Sequence, residues 1–181
     1  MRTSEDVIQF WFVDHGKDDW FGGKPAFDAE LAAALGNTHP PVARGEAWEW
    51  RETAEGRLAE IIVLDQFSRQ LHRGSAQAFA QDKMALVLAQ EAISAGADQA
   101  VEPVRRAFFY LPFMHAESLV IQEEGVRLYE ALGDSEQLDF MRKHREVIGR
   151  FERFPFRNKA LGRESTAEEL AYMAEQGDRS F

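Results

Sequence analysis

Residues 56–74 read GRLAEIIVLDQFSRQLHRG, and the spacing of their apolar side chains decides the fold. Leu58, Ile61 and Ile62 recur at three- and four-residue steps, the period of one helix face and not the alternation of a strand. The same steps lead on to Asp65 and then Arg69, a carboxylate and a guanidinium where apolar side chains would fill a core. The stretch therefore predicts a helix from about Ala54 to His72, halted at Gly74. It carries an i,i+4 ion pair on its inward face, with Arg73 one turn further along.

The period holds on both sides of this stretch. Val7, Ile8, Trp11 and Phe12 suit a first helix ending near Gly16, and Phe27, Leu31 and Leu35 line a second one opened by Pro25 and stopped by Gly36. Residues 37–56 carry paired prolines and two tryptophans, which reads as a loop with one short helix packed down by Trp48 and Trp50. Ser75 can cap a helix reaching Ala95, with Phe79, Leu86, Ala89 and Ile93 inward and Asp82 among them. Pro103 opens the next helix, which Pro112 is expected to break or kink, and another runs from about His115 to Leu132. Asp134 with Gln137 and Thr166 with Glu169 are capping-box candidates for helices reaching Phe151 and about Glu175. No convincing run of strand alternation appears. The expected fold is all-α, about eight or nine helices in a tetratricopeptide-like array of antiparallel hairpins, forming one domain over residues 1–181.

Composition narrows the class. A chain of 181 residues with 45% hydrophobic and 12% aromatic content can bury a substantial core. It has no cysteine, which excludes disulfides, thiolate metal sites and a cysteine nucleophile and fits a cytoplasmic location. Acids within and beside the first apolar run disqualify it as a signal peptide, and no window is long and apolar enough to span a bilayer. A formal net charge of −10 argues against a nucleic-acid footprint, which needs a coherent basic face.

Against that acidic background, Arg150, Arg153, Arg157, Lys159 and Arg163 gather around Phe151, Phe154, Pro155 and Phe156. One account is structural: Arg150 and Arg153 complement the negative end of a helix before Pro155 extends the chain. The other is that Arg153, Arg157, Asn158 and Arg163 line a site for a carboxylate or phosphate, with phenylalanines as low-dielectric walls. Further polar residues interrupt apolar stripes. Gln122 lies among Leu119, Val126 and Tyr129, His115 one turn before Leu119, and His144 among Phe140, Val147, Ile148 and Phe151. Ionic groups in an apolar interior are paired, hydrated or facing a cavity.

The words VIQFWF, GRLAEIIVLDQFSRQLHRGSAQAFAQDKMAL, RRAFFYLPFMHAESLVIQ and RFERFPFRNKALGREST together resemble a bacterial family catalogued as domain of unknown function 924. The resemblance spans most of the chain and implies an all-helical, tetratricopeptide-like fold, with no activity to carry over. The family's recurring polar positions correspond to Asp65, Gln66, Arg69, Arg73, Asp82, Arg106, Tyr110, His115, Glu117, Gln122, His144, Arg153, Arg157, Asn158 and Arg163. Two positions depart from the pattern: glycine is usual where Glu152 stands and histidine where Phe156 stands.

No metal-ligand spacing surrounds His115 or His144, no strained nucleophile turn is present, and phosphate-loop and dinucleotide fingerprints are missing. No metal or cofactor is expected. The favoured reading is a binding module with an arginine-rich pocket for an anionic peptide terminus or a small acid. Its candidate residues are Asp65, Arg69, Arg73, His115, Glu117, Gln122, Arg153, Arg157, Asn158 and Arg163. The alternatives are a hydrolase or lyase using His115 with Asp65 or Glu117 as an acid/base pair, and a self-associating structural protein burying an aromatic face that includes Trp20 or Trp48.

Overall fold

The computed structural model describes residues 1–21 and 23–177, and among these the regular structure is helical, with no strand. They group into two compact units. Unit 1 comprises residues 1–73 and 77–112; unit 2 comprises residues 74–76 and the chain from Phe113.

In unit 1, α1 (Ser4–Gln9) opens with a capping box between Thr3 and Asp6 and runs directly into a π-helical turn, Phe10–Asp14. Next come α2 (Lys17–Trp20), α3 (Pro25–Leu35) and α4 (His39–Ala43). The decisive stretch forms α5 (Ala54–Ile62), a second π-helical turn at Val63–Phe67, and α6 (Ser68–Leu71). The chain continues through α7 (Asp82–Ser94) to α8 (Pro103–Met114).

Trp11 is the hub of this unit. Fully enclosed, it packs against Phe67 at 5.6 Å, Phe27 at 5.9 Å and the edge of Phe108 at 5.9 Å between ring centres. Its carbonyl accepts a 2.7 Å hydrogen bond from Trp20 Nε1. Large aromatic rings in edge-on contact supply both apolar area and orientation. Where α5 meets α7, the line of α7 fully removed from solvent is Ala85, Ala89 and Ala92, while Leu86 and Ile93 flank it half-buried. Small side chains let two helix axes approach closely.

Three local expectations are revised. Trp48 does not pin its loop, being 61% exposed on a 3₁₀ turn. Pro112 does not end α8, which continues two residues beyond it, although the proline has no amide proton to donate to the Phe108 carbonyl one turn back. The helix that was to begin at Ser75 starts only at Asp82, after a separate 3₁₀ turn at Ala76–Phe79.

In unit 2, α9 (Leu119–Leu132) and α10 (Ser135–Phe151) pack along one another as a hairpin. Gly133 supplies the left-handed turn between them with φ 79°, and Asp134 caps α10 by accepting from the Glu136 and Gln137 amides. Gly125 makes the close approach possible, since a Cβ there would stand 2.8 Å from Met141 Sδ. The last described helix is α11 (Ala167–Gln176), opened by the expected Thr166–Glu169 capping box. Tyr172 of α11 joins Val147, Ile148 and Phe154 in an apolar cluster, with Phe151, Phe156 and Met173 against it. No described helix is long and apolar enough to cross a membrane.

Candidate functional site

The ten residues singled out in the sequence divide between the two units. Asp65, Arg69 and Arg73 lie in unit 1; His115, Glu117, Gln122, Arg153, Arg157, Asn158 and Arg163 lie in unit 2.

In unit 1, the π-helical turn carries Asp65 into the interior, where it is 1% exposed. Burial is continuous from Leu58 in α5 through the π turn to Ser68, so the helix is enclosed on every side here and Asp65 lies within that run. Asp65 Oδ2 accepts from Gln66 Nε2 at 2.6 Å, and Oδ1 stands 3.2 Å from Arg69 Nη1. Arg69 also forks onto Asp82 at 3.0 and 3.1 Å and donates to the Asp65 carbonyl at 2.8 Å. Burial opposes the charge on Arg69, and the two carboxylates outweigh it, raising its pKa. Asp82, at the first position of α7, is thereby tied to the turn that follows α5. Arg73 is elsewhere, in a solvent-facing fork on Asp28 at 2.8 and 2.9 Å.

Two other polar ties of unit 1 escaped the sequence reading. Tyr110 donates to the buried carboxylate of Asp98 at 2.7 Å, and burial together with that partner raises the phenol pKa. The His39 ring meets the buried Ser68 hydroxyl at 2.8 Å, but Ser68 spends its own proton on the Leu64 carbonyl at 2.5 Å. His39 is therefore the donor, the reverse of what a serine nucleophile requires.

Unit 2 holds the denser constellation, built where the segment after α10 folds back. The Arg163 fork holds the Glu117 carboxylate at 2.7 and 2.9 Å, and the Phe154 amide donates to Glu117 Oε1 at 2.8 Å. Burial works against ionisation of Glu117, yet these donors prevail and lower its pKa. Arg163 Nε reaches Asn158 Oδ1 at 2.9 Å, and Asn158 Nδ2 donates in turn to Glu169 at 3.3 Å. Glu169 is 2% exposed and receives the Arg153 fork at 2.6 and 2.9 Å and the Thr166 amide at 2.7 Å. Hydrogen bonds from Arg153 pull its pKa down to about 2, against the opposing effect of burial. Arg150 adds a third, exposed pair with Glu168 at 2.8 Å. These groups border an open hollow of about 540 Å³.

Glu117, Arg153, Asn158 and Arg163 are thus brought into one network. Arg157 is adjacent in sequence but 6% exposed, its guanidinium lying 4.4 Å over the Phe154 ring. His115 is 6.3 Å from His144 between ring centres, and the His144 ring nitrogen meets the Phe140 carbonyl at 2.8 Å. Gln122 serves the turn before α9: wholly buried, it donates to the Met114 and Ala116 carbonyls at 2.7 and 2.8 Å. Among the described residues, no group of three or more His, Asp or Glu side chains is arranged to hold a metal ion.

The profile of the family described as bacterial protein of unknown function (DUF924) matches residues 7–177. The chain belongs to this family. A solved structure of a protein of unknown function from Agrobacterium tumefaciens is 41% identical, covers 95% of this chain and 97% of its own, and superposes with a TM-score of 0.91. No match is found among curated proteins. Glu152 has φ 60° at the end of α10, the left-handed conformation that favours glycine.

The members of the unit 2 network that are not among the ten candidates are Arg150, Glu168 and Glu169. Glu169 was legible as a helix cap, through its spacing from Thr166. Its second partner, Arg153, lies sixteen residues away, and local spacing carries no signal for that.

Proposed function

We propose that the protein is a helical binding module whose unit 2 recognises ligands with several carboxylates, an acidic peptide end or a small polyacid. The observation that carries this reading is the row of arginines around one open hollow, Arg153 and Arg163 as guanidinium forks on carboxylates from other segments and Arg150 in a single hydrogen bond to Glu168. Planar bidentate pairing is what arginine does better than lysine. The hollow is of a size that admits small ligands.

The chemistry constrains the ligand. Glu117, Glu168 and Glu169 already neutralise the three arginines, so a lone carboxylate would only replace a tethered one. A ligand with two or more spaced carboxylates gains by occupying several forks at once, and Arg150–Glu168, half-exposed at both ends, is the pair that exchanges at least cost.

Isothermal titration with short Glu- and Asp-rich peptides bearing free C-termini, beside their amide counterparts, tests the reading. Binding that requires the carboxylates, weakens several-fold in Arg150→Gln and fades between 50 and 300 mM salt supports it. No heat from any peptide, with wild type or with Glu168→Gln, overturns it.

A second reading, self-association, is favoured by Trp48, a large aromatic ring left mostly in solvent. Light scattering showing a strict monomer over a hundredfold concentration range excludes it.

A further inference from the structure

The carboxylates that fill the arginine row have different origins. Glu117 stands in the turn before α9, whereas Glu168 and Glu169 both sit in the first turn of α11 and reach Arg150 and Arg153 respectively. α11 thus lays an acidic turn across two of the three arginines. Building on the binding role above, we infer that α11 is an intramolecular stand-in for the ligand, an autoinhibitory strap that must lift before an acidic peptide takes the row.

The construction of α11 suits a strap. It has ten residues, below the length at which an isolated helix holds itself together in water. Its attachment rests on the Glu168 and Glu169 pairs and on two apolar side chains, Met173 and Tyr172, the latter 5.1 Å from Phe151 and 6.2 Å from Phe156. Leu170, on the same helix, is left in solvent. Segments with few buried apolar contacts open at a fraction of the global unfolding cost. The closed strap then lowers apparent affinity in proportion to the fraction of molecules that are open.

The test uses the full chain and three proteins: wild type, Glu168→Gln, which alters only an exposed pair, and Tyr172→Ala, which weakens the apolar attachment. A Glu-rich peptide with a free C-terminus is titrated into each, and amide hydrogen exchange is followed across residues 167–176 with and without peptide. The strap predicts at least fivefold tighter binding in both variants and faster exchange of the α11 amides when peptide is present. Binding in the variants with none detectable in wild type supports it equally. Equal affinity in all three proteins, or α11 amides that stay protected in the complex, overturns the strap and leaves the arginine row standing as a ligand site. Absence of binding in all three overturns both. If Tyr172→Ala loses its helical circular dichroism, Glu168→Gln and the exchange data decide alone.

Discussion

Arg153 and Glu169 face each other fork to fork, Nε at 2.6 Å and Nη2 at 2.9 Å from the two carboxylate oxygens. The same carboxylate accepts the Thr166 amide and so starts α11. One buried side chain therefore caps a helix and ties it to the segment that follows α10.

That double duty makes α11 acid-labile. The Glu169 pKa falls from an ordinary 4.5 to about 2 in the folded chain, so its contribution is complete above pH 4.5 and drains away as pH falls toward 2. Thermal melts from pH 6 to pH 2 are expected to show wild type losing its margin over Glu169→Gln across that window. A constant margin down to pH 2 contradicts the assignment.

Glu152 is the one described non-glycine residue with positive φ, at 60°. Its side chain is exposed, so replacing it loses little packing while removing the left-handed penalty of roughly 1 kcal/mol. Glu152→Gly is expected to raise the stability measured by urea unfolding by about that amount, despite the added freedom of the unfolded chain.

At the entrance to α5 the opposite holds. A Cβ on Gly56 would lie 2.0 Å from the Trp50 carbonyl oxygen, and backbone cannot rotate aside as a side-chain tip would. Gly56→Ala should cost about 3 kcal/mol, at the upper end for overpacked sites. The 3₁₀ turn at Trp48–Glu52 should loosen first, visible as altered tryptophan fluorescence.

Arg69 neutralises two carboxylates, one of them buried. Removing it strips Asp65 and Asp82 of their shared cation, and Arg69→Ala is expected to destabilise by about 3 kcal/mol or more. Deleting Asp82 as well should add much less than its own single cost, because the two changes break one interaction. A double-mutant cycle that comes out additive would show the three side chains to be energetically independent.

The same chemistry explains the uneven legibility of the site. Asp65 and Arg69 were readable as a pair because i,i+4 spacing brings them together whatever surrounds them. The depth of Asp65 was not, because residues 58–68 are buried on every side of the helix, and that depends on the segments that pack around it. Arg153 and Arg163 could be recognised as carboxylate receptors by type alone, yet their partners Glu169 and Glu117 lie 16 and 46 residues away. The same holds for Trp48: aromatic character predicts burial, and only the shape of the neighbouring surface leaves it exposed.

What the chain alone determined was the helical class, the stop at Gly36, the caps at Asp134 and Thr166, and the presence of ionic groups on inward faces. Each of these follows from interactions spanning a turn or less, which sequence spacing records directly. Which arginine holds which carboxylate, how α7 closes on α5, and how deep Asp65 lies were decided by tertiary packing. Those outcomes depend on contacts between residues far apart in the chain, whose geometry exists only once the helices have docked.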